Sequence, residues 1–339
     1  MKFNHVAILS VVGVDAPDRI LSADMEAQIE GSLRRLGLRP GMLEGLSGIR
    51  ARRFWPRGVQ PSDAATQAAR EAIRASGIDA QRLGALINTS VCRDYVEPST
   101  ACLVHGNLRL PAECLNFDIA NACLGFLNGM ELIGNMIERG QIEYGVVVDG
   151  ESSRFIVEQT LARIASPQCD AQTFRDNFAT LTLGSGAAAM VLGRAELAPP
   201  GAHRFTGSVS LAATEHNGLC QGQLDHMKTD SQKLLHAGVA LASQTWRRAQ
   251  AELGWRAELL DELVLHQVSK VHTETLAGVL GLDVDKILAI YPEYGNVGPA
   301  SVPIALARSA EQGRLRPGAR VALMGIGSGL NCAMAEVIW

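Results

Sequence analysis

A chain of 339 residues is too long for one small core, so one large domain or two fused halves is expected. Its 47% hydrophobic and 19% charged residues are those of a globular protein, and a net charge of −4 offers no overall field to nucleic acid. No apolar stretch reaches the roughly 18 residues of a membrane span, and five lysines against 26 arginines leave local arginine clusters to meet any anionic ligand.

The opening run FNHVAILSVVGV reads as a first strand. A weak secretory signal competes, but Asp15, Asp18 and Arg19 follow at once and no small-residue cleavage site appears. GIRARRFW holds Arg50, Arg52 and Arg53, the densest basic cluster, which is either a phosphate-binding patch or a solvated surface. SDAATQAAREAIRASG is an amphipathic helix leading to the apolar strand LGALINTS, and VCRDYVEPSTACLVHGNL then carries Glu97. The strand-like run LNFDI ends at NACLGFLNG, where a lone cysteine, Cys123, is wrapped in Ala and Gly and a helix starts immediately after. YGVVVDG is a buried strand, EQTLARIASPQCDAQTFRDNFA is helical, and LTLGSGAAAMVL is a glycine turn running into a strand.

APPGAH (Ala198 to His203) makes a seam. Beyond it come the strand HRFTGSVSLAATE, the helix ALASQTWRRAQAELG and the strand DELVLH, which ends at His266. A glycine-rich loop, YGNVGPASVP, holds Asn296 ahead of an apolar helix, and GIGSGLN (Gly325 to Asn331) turns into the last strand.

These segments repeat. ERGQIEYGVVVDG matches EQGRLRPGARVALMG, the two glycine-turn strands match, and so do the two amphipathic-helix-to-strand blocks. An offset of 173 residues, set by Glu138 and Glu311, carries Cys123 onto Asn296. The order of recurrence predicts a duplicated α/β unit with halves at 1–197 and 198–339, and ligands at the strand ends where the halves meet.

At a strand-to-helix turn, free N–H groups and the positive end of the helix dipole are expected to lower the Cys123 thiol pKa and stabilise a thiolate. The same N–H groups can hold the oxyanion formed when the thiolate attacks an acyl carbonyl. Taken singly, a cysteine in apolar surroundings is a core residue, a histidine at a strand end a satisfied one, and an asparagine among glycines a turn former. Taken together at one crevice, Cys123 is a nucleophile, and His266 and Asn296 are donors to a second oxyanion, an enolate. The GIGSG turn adds a backbone N–H, that of Ser328, to complete the first oxyanion hole beside the N–H of Cys123. It lacks the lysine of a phosphate loop.

NACLGF, LHQVS, GNVGPASVP and the terminal GIGSGLNCAMAEVIW resemble the thiolase superfamily and, within it, the ketoacyl-synthase-III-like condensing enzymes, over nearly the whole chain. That resemblance implies a five-layered αβαβα fold of two pseudo-symmetric halves, a homodimer, and acylation of Cys123 by a thioester. Degradative thiolases carry a second cysteine within the C-terminal glycine turn; here Cys332 follows the turn, so it reads as core. Where ketoacyl synthase III usually has phenylalanine before Pro-Ser, this chain has Glu97. RDYVEPSTA, ARRFW, HQVSKVH and GNVGPASVP together resemble the OleA family, condensing enzymes of bacterial long-chain olefin synthesis. This implies head-to-head joining of two fatty acyl-CoA thioesters without decarboxylation to a 2-alkyl-3-ketoacyl product, with coenzyme A as substrate carrier, no other cofactor, and downstream olefin-pathway enzymes as partners. It further implies that Glu97 enters the partner subunit's site and removes the α-proton. Without loss of CO2 to generate the carbanion, a base is needed, and a buried carboxylate has a raised pKa suited to that role. The arginines Arg50, Arg52 and Arg53 would meet the phosphates of CoA.

Three other readings compete. A decarboxylating synthase using a malonyl-carrier protein does not account for Glu97. A cysteine hydrolase shares the order Cys, His, Asn with papain-like enzymes, but not the repeat. A non-catalytic acyl-binding subunit would not keep all four side chains. Seven cysteines with no CxxC pair argue against disulfides and zinc, and for a reducing cytoplasm.

Overall fold

A computed structural model describes residues Met1–Trp339. The chain begins with β1 (Val6–Asp15), β2 (Asp18–Leu21), three short helices α1 (Ser22–Gln28), α2 (Glu30–Arg35) and α3 (Met42–Ser47), and β3 (Ala51–Phe54). Next come α4 (Pro61–Ser76), β4 (Leu83–Asn88), α5 (Thr100–Leu108), β5 (Leu115–Asp118), α6 (Gly125–Glu138) and β6 (Tyr144–Glu151). Helices α7 (Arg154–Ala165) and α8 (Ala171–Phe178) lead to β7 (Gly186–Arg194). The C-terminal part runs β8 (His203–Ala212), the small ribbon β9 (Cys220–Gly222) and β10 (Met227–Thr229), α9 (Ser231–Leu253), β11 (Glu262–Leu265) and α10 (Lys270–Leu280). It ends with α11 (Tyr291–Tyr294), α12 (Ser301–Glu311), β12 (Arg320–Gly327) and β13 (Asn331–Ile338).

Nine strands hydrogen-bond in the order β11-β12-β13-β8-β1-β7-β6-β4-β5. Read outward from the centre, β1-β7-β6-β4 has its counterpart in β8-β13-β12-β11. In both series the two outermost strands are parallel and the inner pairs antiparallel. β1 and β8 share only Ala7–Arg204 and Ile8–His203, so the two series splay into facing sheets.

Side-chain alternation along the strands assigns the layers. Val147 of β6 packs with α6 and α12, as do Ala188, Met190 and Leu192 of β7 and Leu323 and Ala333 of the other sheet. Val146, Val148, Ala187 and Ala189 point the other way, onto α4 and α5. Leu263, Met324, Cys332 and Met334 face α9 and α10. The result is helices, sheet, central helices, sheet, helices: the five-layered αβαβα arrangement of two pseudo-symmetric halves expected from the sequence.

The halves differ where function is built. Between β12 and β13 only Ser328, Gly329 and Leu330 intervene, whereas between β6 and β7 the chain inserts α7 and α8. These helices form a fourth core with α1, α2 and α3 through Met25, Leu33, Val157, Ile164 and Phe174. The insertion is why the glycine-turn strands stand closer in sequence than the 173-residue offset seen elsewhere.

Candidate active site

Cys123 sits in the turn between β5 and α6. Ala122, just before it, has φ +45°, a left-handed conformation that costs an alanine energy and turns the chain sharply at the thiol. A Cβ on Gly125, the first residue of α6, would stand 2.7 Å from the carbonyl oxygen of Thr89, so only glycine lets the helix start against β4. A polar relay fixes the same turn. The Asn331 amide donates to Asn121 (3.1 Å), the Asn121 amide to Asn128 (2.6 Å), and the Asn128 amide to Glu131 (3.1 Å).

The turn meets its counterpart in the other half. Residues Ala122–Leu124 pack against Gly298–Ala300, which leads into α12 as the cysteine turn leads into α6. Asn296 lies just before, partly buried, with its backbone clamped by Thr182 (its N–H to O, 2.8 Å) and Gly184 (N–H to its own O, 2.9 Å). Its Oδ1 accepts from the Gly298 N–H at 3.0 Å. The amide oxygen is therefore occupied, and the side-chain NH2 is left as the donor end.

His266 follows β11 directly and is 3% exposed. Gln267 staples its loop in place. Its N–H donates to Ser301 Oγ (3.0 Å), its side-chain NH2 donates to the Leu288 carbonyl (2.8 Å), and its Oε1 accepts from Ile290 N–H (2.8 Å). The His266 backbone N–H donates to the Met324 carbonyl at 2.8 Å, which ties the residue to β12. Burial and the neighbouring His272 hold its pKa down to about 3, so the ring is neutral.

Ser328 lies in the three-residue turn after β12. A Cβ on Gly327 would be 3.4 Å from the Cys123 nitrogen and 3.3 Å from that of Leu124, which brings this turn against the cysteine backbone. The segments that carry Cys123, His266, Asn296 and Ser328 thus meet. Glu97 does not join them within the chain: it is exposed, directly after Tyr95 (59%) and Val96 (87%), in the loop between β4 and α5.

The thiol differs from expectation. Burial is the main influence on Cys123, followed by Glu151, Cys220 and Asp149, and together they push its pKa up to about 12. Its own backbone N–H works the other way and is outweighed. The resting group is a neutral thiol, not the thiolate inferred from the helix start. Glu151 and Asp149 end β6 and are buried. Glu151 accepts from the N–H of Val91 (2.6 Å) and Asp149 from the hydroxyl of Thr89 (2.6 Å), yet burial raises both carboxyls. The sequence signal was present in VVVDGE, two acids closing an apolar strand.

The three arginines do not form one cluster. Arg52 is 1% exposed, donates to Ser22 Oγ at 3.0 Å, and is lowered by burial to about 10. Arg53 lies 3.8 Å from Asp15, and the Arg50 Nε donates to Glu293 at 2.7 Å. Of the three, Arg50 is the outermost.

Two family models match the chain. One, described as 3-oxoacyl-[acyl-carrier-protein (ACP)] synthase III, covers residues 117–208, and one for its C-terminal part covers 250–339. An acyl-CoA:acyl-CoA alkyltransferase of Xanthomonas campestris pv. campestris is 50% identical over 339 residues, the whole of both chains. One of Shewanella oneidensis is 39% identical over 351 aligned positions, again the whole of both. Cerulenin-bound OleA of Xanthomonas campestris superposes with a TM-score of 0.98 at 50% identity, covering 100% of this chain and 98% of that one. A cysteine-to-serine variant of the same protein, with bound lauric acid and lauroyl-CoA, gives 0.97 at 49% identity over 99% and 100%.

Proposed function

The chain belongs to the OleA family of acyl-CoA:acyl-CoA alkyltransferases, and from that premise we propose that it joins two long-chain fatty acyl-CoA thioesters, without decarboxylation, to a 2-alkyl-3-ketoacyl product. What supports this reading is that the Cys123 turn packs against the turn that follows Asn296, beside the strand end that carries His266.

In the first half-reaction the Cys123 sulfur attacks the acyl carbonyl, with the N–H groups of Cys123 and Ser328 holding the oxyanion. CoA leaves as its thiol, carrying the proton that Cys123 gives up. In the second, Glu97 of the neighbouring subunit takes an α-proton from a second acyl-CoA. His266 Nε2–H and the Asn296 amide donate to the enolate oxygen. The α-carbon attacks the acyl-Cys123 carbonyl, the carbon–carbon bond forms, and the Cys123 sulfur leaves and regains a proton from Glu97.

A homodimer is part of the proposal, because Glu97 is exposed beside Tyr95 and Val96 rather than turned into its own site. Residues 1–197 and 198–339 are the two halves, and Arg50 is the arginine available to a CoA phosphate. No cofactor beyond the CoA carried by the substrate is needed. No helix is long and apolar enough to cross a membrane, and we place the enzyme in the cytoplasm, handing its β-keto product to downstream olefin-pathway enzymes. Mass spectrometry of products from myristoyl-CoA alone tests the reaction. A C-alkylated ketoacyl product, or the ketone it yields on decarboxylation, is expected; dependence on a malonyl thioester instead would make this a decarboxylating synthase, and free fatty acid alone a hydrolase.

A further inference from the structure

Behind His266 lies a cavity of about 10 Å³ between β12, β13 and the outer helices α9 and α10. His266 and His272 both line it, among Ala242, Leu276, Met324 and Cys332. The Nδ1 atoms of the two histidines are buried and have no partner in the protein. Two orphaned ring nitrogens beside one cavity are unusual, because buried polar atoms are almost always paired. A space of this size holds one water, provided polar atoms surround it.

We propose that one buried water bridges Nδ1 of His266 and Nδ1 of His272, and that His272 is thereby a positioning residue that fixes the tautomer of His266 for the condensation step. The water donates one hydrogen to each Nδ1. Each ring then carries its single proton on Nε2. For His266 that leaves Nε2–H as the ring's donor, with Nδ1 turned to the water. An Nε2–H is the donor an enolate oxygen at the Asn296 loop requires. With the proton on Nδ1 instead, Nε2 would present a lone pair to a developing negative charge.

Both rings are kept neutral: burial lowers His272 to about 4, and burial with His272 lowers His266 to about 3. In a neutral imidazole the tautomer alone decides which nitrogen donates. The fold supports the pairing. Ser269 Oγ accepts from the His272 N–H at 3.2 Å and caps α10, so the first turn of that helix holds His272 against the strand end that carries His266.

The inference rests on the reading of His266 as an enolate donor, and the experiment separates the two. His272→Leu removes the water's second anchor; His272→Asn keeps an acceptor near the Nδ1 position. Cys123 acylation, read as adduct formation by mass spectrometry, is expected to change less than twofold in both. Condensation is expected to fall about tenfold or more in His272→Leu and to be largely restored in His272→Asn. Adding His272→Leu to a His266→Ala chain should cost nothing further. Nitrogen-15 NMR of histidine-labelled protein, with His266 assigned by its loss in His266→Ala, should show the Nε2-protonated tautomer in wild type and a tautomer mixture in His272→Leu. A wild-type proton on Nδ1 of His266, or equal loss of both half-reactions in His272→Leu without rescue by asparagine, overturns the water bridge. A His266→Ala chain that condenses normally overturns the reading of His266 itself, while the wild-type spectrum still decides the tautomer.

Discussion

Gly327 and Cys123, 204 positions apart in the sequence, touch through their backbones: a Cβ on Gly327 would lie 3.4 Å from the Cys123 nitrogen and 3.2 Å from the Asn121 carbonyl oxygen. Both neighbours are main chain and cannot swing aside. Gly327→Ala is therefore expected to push the Ser328 turn away from the cysteine turn by a few tenths of an ångström. Oxyanion donors act only when held at hydrogen-bond distance, and a misplacement on the order of 1 Å costs about 10²-fold. Acylation, followed as the first-turnover release of CoA, should slow about tenfold or more. An unchanged burst would mean that the glycine turn contributes no oxyanion donor.

The Cys123 thiol gives a pH prediction opposite to the one the helix start suggests. With its pKa pushed up to about 12, almost none of the thiol is ionised near neutrality. Alkylation by iodoacetamide consumes the thiolate, so its rate should climb about tenfold per pH unit from pH 7 to pH 10 without levelling. Glu151 is the largest influence after burial and its negative charge acts against the thiolate, so Glu151→Gln should move the whole curve to lower pH. A plateau reached by about pH 8 in the wild type would show the helix end prevailing over burial.

His266→Ala and Asn296→Ala separate the two half-reactions. The Asn296 amide has its oxygen tied to the Gly298 N–H, which leaves only donors for a ligand. His266 is neutral and so is poorly suited to hold a thiolate as an ion pair, but well suited to donate one hydrogen bond. Loss of one such donor costs on the order of 10²–10³ in rate. Each variant should lose about that much in condensation and far less in acyl-Cys123 formation. Equal losses would assign His266 to activating the thiol.

How much of this was legible beforehand follows from what each signal depends on. Strands and helices were readable because the chain alternates apolar runs with 3.6-period segments, and each segment finds its place in the nine-strand order. The positions of Cys123, His266 and Asn296 were readable because each closes an apolar run or opens a helix. The arginines show the limit. Arg52 and Arg53 are adjacent on β3, and successive residues of a strand face opposite ways, so a cluster in sequence is not a cluster in space. The neutral thiol was hidden for another reason: it depends first on burial and then on Glu151 and Asp149, which the parallel pairing of β4 and β6 brings near Cys123 from some sixty residues beyond Thr89. The unpartnered Nδ1 atoms of His266 and His272 are likewise a property of packing, set by helices α9 and α10 closing over the sheet.

Glu97 yields the most discriminating experiment. It is exposed on the loop after β4, beside the exposed side chains of Tyr95 and Val96, and stands outside the cluster formed by Cys123, His266 and Asn296 of its own chain. If Glu97 is the base that takes the α-proton of the second acyl-CoA, as proposed, it acts from a neighbouring subunit. Glu97→Gln keeps the shape and removes the proton acceptor. Acylation of Cys123 should persist, carbon–carbon bond formation should fall by about 10²-fold or more, and free fatty acid should accumulate as water hydrolyses the stalled acyl-enzyme. Mixing Glu97→Gln chains with Cys123→Ser chains should then restore condensation. In that heterodimer the intact Glu97 of the serine chain serves the intact Cys123 of its partner, giving one working site in two. No recovery in verified heterodimers would put Glu97 in the same subunit as its cysteine, and unchanged condensation by the Glu97→Gln homodimer would remove it from the chemistry altogether.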